Sequence, residues 1–259
     1  MIGQNGGRGD AIGDTEFHKL RNRLDVAKPM GPPMKRSKNH PTRLLYTSEL
    51  DLAEEHVKPF FDWYAWRHAP DIYQIGFEIC TSYRAIEGDM AIFDLYEINT
   101  VDVFDTAKYR AVSANDPYSG PLLANRKAKA HSIYAQLYVA PEPEDMRPLL
   151  NCDWLRVDRF NTVDTSADGL SDYLDSGEAE RILLAGAKRV RLAARTKAGP
   201  KHVSDRPTFM LLSEWAAKPG IADIGVRLAK RFGKDISEQS TFVGYRMFPW
   251  PDNPELRGT

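Results

Sequence analysis

Residues 76–99 read GFEICTSYRAIEGDMAIFDLYEIN, and this stretch decides the fold. Two runs rich in apolar and β-branched residues flank Glu87-Gly88-Asp89, which has the composition of a tight turn. We therefore predict a β-hairpin with strands over 76–84 and 90–99.

The segments on either side of this hairpin complete a β-α-β-β-α-β order. Upstream, Arg43–Glu49 has the pattern of a strand, and Leu52–Ile72 has helical spacing that Pro70 is expected to end. Downstream, Val101–Ala114 predicts a helix and His131–Ala140 a last strand. This order is that of a ferredoxin-like unit, in which two helices cover one face of a four-stranded sheet.

The same order recurs in the second half of the chain. Its predicted elements are a strand at 153–160, a helix at 167–187, strands at 188–196 and 208–216, a helix at 221–232 and a strand at 241–248. The predicted fold class is therefore α+β, with two tandem ferredoxin-like βαββαβ units packed sheet to sheet.

The predicted domain organisation follows from this repeat. A basic, Gly/Pro-rich N-terminal arm (1–42) precedes the first half (43–140); a linker (141–151) leads to the second half (152–250) and a tail (251–259). One chain can supply both sheets of a barrel, so a monomer is one option. A homodimer is the other, with the arm wrapped around a second chain.

Composition excludes several classes of partner. The chain has 35 Lys and Arg against 36 Asp and Glu, so no global positive field favours nucleic acid or an acidic membrane. No run of apolar residues reaches the length of a membrane helix, and MIGQNGGRGD lacks the apolar core of a signal peptide. A cytoplasmic location is expected.

The sequence also predicts no metal and no bound cofactor. Cys80 and Cys152 are far apart, and no HExxH, HxH or CxxC pattern occurs. The glycines of GQNGGRG at 3–9 do not follow a strand, so they do not mark a phosphate site.

Residues Trp63–Asp71 carry a family resemblance: they read WYAWRHAPD and are followed by Gly76-Phe77. This motif, with LYEINTVDVFDTAKYRAVSANDPYSG at 95–120, resembles the EthD-like proteins of the dimeric α/β-barrel superfamily. The resemblance implies a barrel made here within one chain, with a cavity between two sheets for a small, mostly apolar molecule. The second half shares only the element order.

Strand alternation predicts which side chains share a face, because successive residues point to opposite sides of a sheet. The residues expected on the cavity face are Tyr46, Asp94, Tyr96, Tyr134 and Gln136. In the second half, Arg156, Arg191 and Glu214 are expected in the same space. Those charges either pair with one another or bind a polar, carboxylate-bearing ligand.

His68 is the candidate general base or acid, because an imidazole has a pKa near neutrality. Tyr64 lies one turn earlier on the same helical face, and Arg67 and Asp71 flank the histidine. The alternative is that His68 and Arg67 only hold the end of the helix. His131 begins a strand, and a solvated role is expected for it.

The function predicted from these residues is a cofactor-independent enzyme of the lyase, isomerase or cyclase type. It would act by acid–base chemistry on a small hydrophobic or aromatic molecule bearing a carbonyl, hydroxyl or carboxylate. Two alternatives stay open, namely a cofactor-free monooxygenase and a non-catalytic small-ligand-binding protein. An enzyme should place His68 in a cavity within hydrogen-bond reach of a tyrosine or aspartate.

Overall fold

A computed structural model describes residues 43–114, 116–141, 152–196 and 206–249 of the chain. The predicted arm (1–42), the tail (251–259) and nearly all of the linker lie outside these described residues, as does the homodimer contact expected of the arm.

The described residues form eight strands with helices between them. The strands are β1 (Leu44–Asp51), β2 (Ile79–Glu87), β3 (Ile92–Ile98), β4 (Ala128–Ala140), β5 (Trp154–Thr162), β6 (Ala187–Arg195), β7 (Phe209–Trp215) and β8 (Ile236–Phe248). The α-helices are α1 (Glu54–Trp63), α2 (Ala69–Gln74), α3 (Ala107–Ala114), α4 (Ser119–Ala124), α5 (Ala167–Tyr173), α6 (Ala179–Leu184) and α7 (Ile224–Phe232). Short 3₁₀ helices cover Val101–Asp105 and Gly233–Asp235.

The eight strands close into one antiparallel barrel in the order β1-β3-β2-β8-β5-β7-β6-β4. The predicted hairpin is confirmed, since β2 pairs with β3 and Cys80 lies opposite Tyr96. Two seams join the halves of the chain, β2 with β8 and β4 with β6. The barrel therefore has no open sheet edge, which removes unpaired backbone groups from its rim.

A buried apolar cluster lies inside the barrel. Apolar side chains from all eight strands form one buried cluster that includes Leu45, Tyr83, Phe93, Leu95, Tyr134, Leu155, Val157, Ala193, Met210, Leu212 and Phe242. These side chains occupy part of the space between the two sheets, and the cavity that the resemblance implied there stays a prediction.

Buried ion pairs also cross the barrel interior and connect the two halves. Glu49 on β1 lies 2.8 Å from Arg159 on β5, and each side chain is 1% exposed. Glu97 on β3 contacts Arg191 on β6 at 2.6 Å, and Arg191 also contacts Glu214 at 2.8 Å. The predicted alternative of paired charges thus accounts for Arg191 and Glu214, since a buried charge requires a partner.

Two further cores lie outside the barrel, where helices cover the sheet. In the first half, Phe60, Trp63 and Ile72 of the helices pack with Tyr96 and Phe77. In the second half, helix residues including Leu170, Ile182 and Leu228 pack with side chains of the sheet such as Leu211 and Trp215. None of the described helices is both long and apolar enough to cross a membrane.

The first long helix contains a π-helical turn at Tyr64–His68, between α1 and α2. Pro70 was expected to end this helix, but it lies in the first turn of α2. A proline is tolerated there because the wider turn before it relaxes the requirement for a backbone N–H donor. The π-helical turn ends at His68, so it sets where that side chain leaves the helix.

Candidate active site

A cavity of about 300 Å³ lies in the first half of the chain, between the outer face of the sheet and the helices. It is lined by strand residues Tyr46, Ser48, Leu50, Asp94, Tyr96, Lys129 and His131, by helix residues Phe60, Trp63, His68, Ile72, Tyr109 and Leu123, and by Phe77 and Arg126. This volume is at the lower end of the range for small-molecule sites, ~300–1,000 Å³.

His68 faces this cavity and bonds to a phenol. Its Nε2 lies 3.2 Å from Oη of Tyr96, and this is the hydrogen bond of its ring within the described residues. The imidazole also packs against Trp63, with ring centroids 4.6 Å apart. These aromatic neighbours exclude water, and burial lowers the pKa of His68 to about 4. The imidazole is therefore neutral at pH 7 and can accept a proton.

A second histidine–tyrosine pair lies on the same wall. Nδ1 of His131 is 2.9 Å from Oη of Tyr46, and the two rings are stacked. Tyr46 in turn stacks on Tyr96, with ring centroids 5.3 Å apart. The antiparallel register produces this stack, because Tyr46 of β1 lies directly opposite Tyr96 of β3.

Asp94 is a carboxyl group at the buried end of the cavity. It is 2% exposed, and its Oδ1 accepts a hydrogen bond from Oγ of Ser82. Burial raises the pKa of Asp94 to about 8, because the charged form loses its hydration. The hydrogen bond from Ser82 opposes this shift. Asp94 is therefore largely protonated at pH 7 and can donate a proton or a hydrogen bond.

The cavity thus contains a neutral base and a neutral acid at the same pH. The pKa of His68 is displaced downwards and that of Asp94 upwards, and burial is the main cause in both cases. Two titratable groups with oppositely displaced pKa values are the usual arrangement of acid–base catalysts. At pH 7, Asp94 can therefore keep or donate its proton while His68 accepts a proton from a bound molecule.

Of the predicted site residues, the structure brings together His68, Tyr46, Asp94 and Tyr96 as lining residues of one cavity. Tyr64 lies behind His68 with ring centroids 5.1 Å apart, and its Oη donates to the carbonyl oxygen of Thr81. Tyr64 thus supports the ring of His68 from the side.

The other predicted residues lie elsewhere. Tyr134 was expected to share with Tyr46 the face towards the space between the two sheets. Tyr134 does point into the barrel, where it pairs with Leu45 and its Oη donates to the carbonyl oxygen of Pro207, but Tyr46 faces the helices instead. Gln136 accepts a hydrogen bond from Arg191 at 3.3 Å rather than lining the cavity.

The predicted charged residues are paired within the protein. Arg156 of the second half donates to Asp158 at 2.8 Å and to the carbonyl oxygen of Ile221, so it does not share a space with Arg191. Arg67 and Asp71 form an ion pair at 2.9 Å along the helix and do not line the cavity. A substrate contact by these residues stays a prediction, without support from their positions.

Three basic lining residues were missed by sequence reasoning. His131 was expected to be solvated, yet it bonds to Tyr46, and Arg126 and Lys129 were not assigned to the site. A signal was present for two of them, because Lys129 and His131 share the face of Ile133, which alternation directs towards the helices.

The second half carries a different side chain at the corresponding point. A second π-helical turn, Leu174–Glu178, follows the first helix of that half and ends at Glu178. The carboxylate of Glu178 contacts Arg181 at 2.6 Å and Arg227 at 2.8 Å. This ion-paired carboxylate is a structural contact between helices rather than a second copy of the histidine site.

Metal binding has no support among the residues that the structure describes. Within them, no group of three or more His, Cys, Asp or Glu side chains is arranged to hold a metal ion. Both cysteines are buried and unpaired by disulfides, and burial raises the pKa of each thiol.

Comparison with solved structures supports the fold. An anthrone oxidase-like protein aligns with a TM-score of 0.55 and 8% sequence identity, over 80% of this chain and 92% of that chain. A variant of chlorite dismutase from Candidatus Nitrospira defluvii aligns with a TM-score of 0.49 and 11% identity, over 79% and 91% of the two chains. No family model and no curated protein matches the sequence.

At this level of identity, the likeness concerns architecture alone. The closed eight-stranded antiparallel barrel with helices on its outside is shared with the anthrone oxidase-like protein.

Proposed function

We propose that the protein is an enzyme that moves protons on a small aromatic or hydrophobic molecule bearing a carbonyl or hydroxyl group. One observation carries the proposal: His68 faces a cavity and bonds Oη of Tyr96 rather than the backbone. This is the arrangement expected of a catalytic histidine and not of one that only holds a helix end.

The chemistry follows from the charge states of the lining. Neutral His68 accepts a proton from carbon next to a carbonyl, directly or through Oη of Tyr96. The electron pair of the broken C–H bond moves into an enolate, whose oxygen takes a hydrogen bond from protonated Asp94 or from Tyr46. If the proton returns at another carbon, the molecule is isomerised. If the enolate instead expels a leaving group, the reaction is an elimination. No tightly bound cofactor enters these steps.

Oxygenation without a cofactor is the second candidate. The specific observation in its favour is the barrel shared with an anthrone oxidase-like protein. Here the same proton abstraction gives an electron-rich enolate, which reacts with dioxygen so that the electron pair of the C–H bond ends in a new C–O bond. Consumption of dioxygen separates this candidate from isomerisation or elimination.

The test uses two carbonyl compounds as probes. In heavy water, wild-type protein should exchange the acidic C–H protons of 2-tetralone, followed by NMR, and His68→Gln should slow exchange by ~10²-fold or more. An oxygen electrode with the two-ring ketone 2-indanone reports the second candidate. His56→Gln is the control, because His56 does not line the cavity. Equal exchange by wild type and His68→Gln would remove His68 from the mechanism, and no exchange would favour a binding protein.

We also infer that the two halves are ferredoxin-like units that arose by duplication, the first of them EthD-like. Two observations support this. In each half the strands lie in the order fourth, first, third, second, which is β4-β1-β3-β2 in the first half and β8-β5-β7-β6 in the second. A five-residue π-helical turn also follows the first helix in each half. A cytoplasmic location and a role in metabolism of aromatic compounds belong to the same proposal.

A further inference from the structure

The cavity has a buried end and an open end with different chemistry. At the buried end, Phe60, Trp63, Ile72 and Tyr96 are each at most 5% exposed. At the open end, Lys129 is exposed and Arg126 is half-buried. A ligand that enters therefore meets cationic side chains first and aromatic rings further in.

The cations at the open end have no carboxylate partner among the described residues. Lys129 is the residue opposite Leu50 in the pairing of β1 with β4, so an apolar side chain faces it across the strands. Arg126 donates from Nη1 to the carbonyl oxygen of Leu123 at 2.8 Å, which holds the guanidinium at the end of α4. Its remaining N–H groups stay available for a planar acceptor.

The rest of the lining does not neutralise these two cations. Asp94 is the single carboxyl group in the lining, and it lies at the buried end. Burial raises the pKa of Asp94 to about 8, so it carries little charge at pH 7. The lining is therefore net positive, although the chain as a whole has a formal charge of −1.

The aromatic walls select for shape as well as for charge. Tyr46 and Tyr96 stack at an interplanar angle of 28°, and Phe77 meets Tyr96 edge-on at 83°. Rings arranged in this way favour a flat ring with offset-stacked or edge-to-face contacts. A cavity of about 300 Å³ accommodates one or two fused rings rather than an extended chain.

We propose that the cavity binds aromatic acids, with the ring against the aromatic wall of Tyr46, Tyr96 and Phe77 and the carboxylate on Arg126 and Lys129. The inference rests on the proposed function, since it concerns the same cavity, and it assigns its substrate class. A planar carboxylate suits the guanidinium of Arg126 because two parallel N–H···O bonds can form. The anchored carboxylate then leaves the ring near His68 and Tyr96.

Binding of 2-naphthoate and of its uncharged isostere 2-naphthamide tests this inference. Both can be titrated by calorimetry, with the fluorescence of Trp63 as a second signal. Wild type should bind 2-naphthoate about tenfold or more tightly than 2-naphthamide, and added salt should reduce the difference. In Arg126→Met/Lys129→Met, the preference for 2-naphthoate should disappear while the affinity for 2-naphthamide changes less than about twofold.

The matched control is Lys218→Met/Lys230→Met, which removes two exposed lysines of the second half and should keep the preference. Equal binding of the two probes by wild type, no binding of either, or an unchanged preference in Arg126→Met/Lys129→Met would overturn the inference. His68→Gln separates the two proposals: it should keep the preference for 2-naphthoate over 2-naphthamide while losing proton exchange with 2-tetralone. If the preference for 2-naphthoate is absent but His68→Gln loses proton exchange, the anion site is wrong and the proposed base stands. If the preference is present but His68→Gln keeps proton exchange, the proposed base is wrong and the anion site stands.

Discussion

Oη of Tyr96 lies 3.2 Å from Nε2 of His68, and this contact joins a strand of the barrel to the π-helical turn that covers it. The phenol both orients the imidazole and can relay a proton to it. Because Tyr96 also stacks on Tyr46, its ring has a packing role that is separable from its hydroxyl group.

Tyr96→Phe should therefore lower catalysis without unfolding the protein. The substitution keeps the stacked ring and removes the hydroxyl that contacts His68, so exchange of 2-tetralone protons should fall ~10- to 100-fold. Thermal unfolding should show a change of at most about 1.5 kcal/mol, the size of one hydrogen bond. Tyr118→Phe is the control, because Tyr118 is exposed. An unchanged exchange rate in Tyr96→Phe would show that the hydroxyl has no part in the proton transfer.

The pH dependence of the exchange rate should be bell-shaped. Below a pH of about 4 the rate should fall because His68 becomes protonated, and above a pH of about 8 it should fall because Asp94 ionises. His68→Gln should abolish the acid limb of any residual rate, and Asp94→Asn should abolish the alkaline limb. A single limb near pH 6.5 in the wild type would contradict the buried position of His68.

Asp94 should also make stability depend on pH. Its pKa is raised from 3.8 to about 8 in the folded protein, so the native state holds a proton that the unfolded state has lost. Stability contributed by the neutral form is therefore present at acid pH and is lost as the pH rises towards 8. His68 has a lowered pKa, so its contribution rises with pH and offsets a small part of this loss just above pH 6.5, where the unfolded histidine is still partly protonated.

Between pH 6.5 and 8, wild type should lose about 1.5 kcal/mol of its free energy of unfolding, because the slope of about 1.4 kcal/mol for each pH unit flattens near the folded pKa. In Asp94→Asn this loss should vanish, since the amide does not titrate. Urea denaturation at the two pH values measures the difference. The same slope in both proteins would mean that Asp94 ionises normally.

The ion pair of Glu49 and Arg159 should be costly to break. Both side chains are 1% exposed, so Glu49→Gln leaves a buried guanidinium with its charge uncompensated. We expect a loss of ~3–5 kcal/mol in the free energy of unfolding, measured by urea denaturation. Asp62→Asn breaks an exposed ion pair with Lys58 and should cost less than about 1 kcal/mol. Equal effects of the two substitutions would contradict the position of Glu49 inside the barrel.

Gly244 should be required for barrel closure at the β2–β8 seam. A Cβ at this position would lie 2.7 Å from the carbonyl oxygen of Arg84 and 2.5 Å from Cζ of Phe242. Gly244→Ala should therefore lower the free energy of unfolding by ~1–3 kcal/mol, the usual cost of overpacking. Gly225→Ala is the control: its nearest neighbour is the flexible side chain of Gln239 at 3.7 Å, and alanine favours the helix.

Much of the fold can be predicted from the sequence because its signals are local. The hairpin of β2 and β3 follows from alternation around Gly88, and the repeat of the element order follows from periodicity alone. Element ends were less predictable. β8 begins at Ile236 rather than at 241, since pairing with β5 extends it beyond its own apolar residues.

The candidate site was readable only in part. Period-two alternation places Tyr46 on one side of its strand and Asp94 and Tyr96 on one side of theirs, and the structure brings all three to one cavity. These three residues were expected to face the second sheet, and they face the helices instead, because alternation does not reveal which side of a sheet lies inside the barrel. The register pairs Tyr134 with Leu45, so it faces the opposite side from Tyr46.

The sequence by itself determined the strands, the helices, their repeated order and the sharing of a face along each strand, because these depend on neighbours a few residues apart. Only the tertiary structure decided that the polar face of the first sheet meets the helices and not the second sheet. The bond between Tyr46 and His131 spans 85 residues, and the β2–β8 seam of the barrel spans more. Strand pairing over such separations is set by packing and register across the whole barrel, which no local pattern encodes.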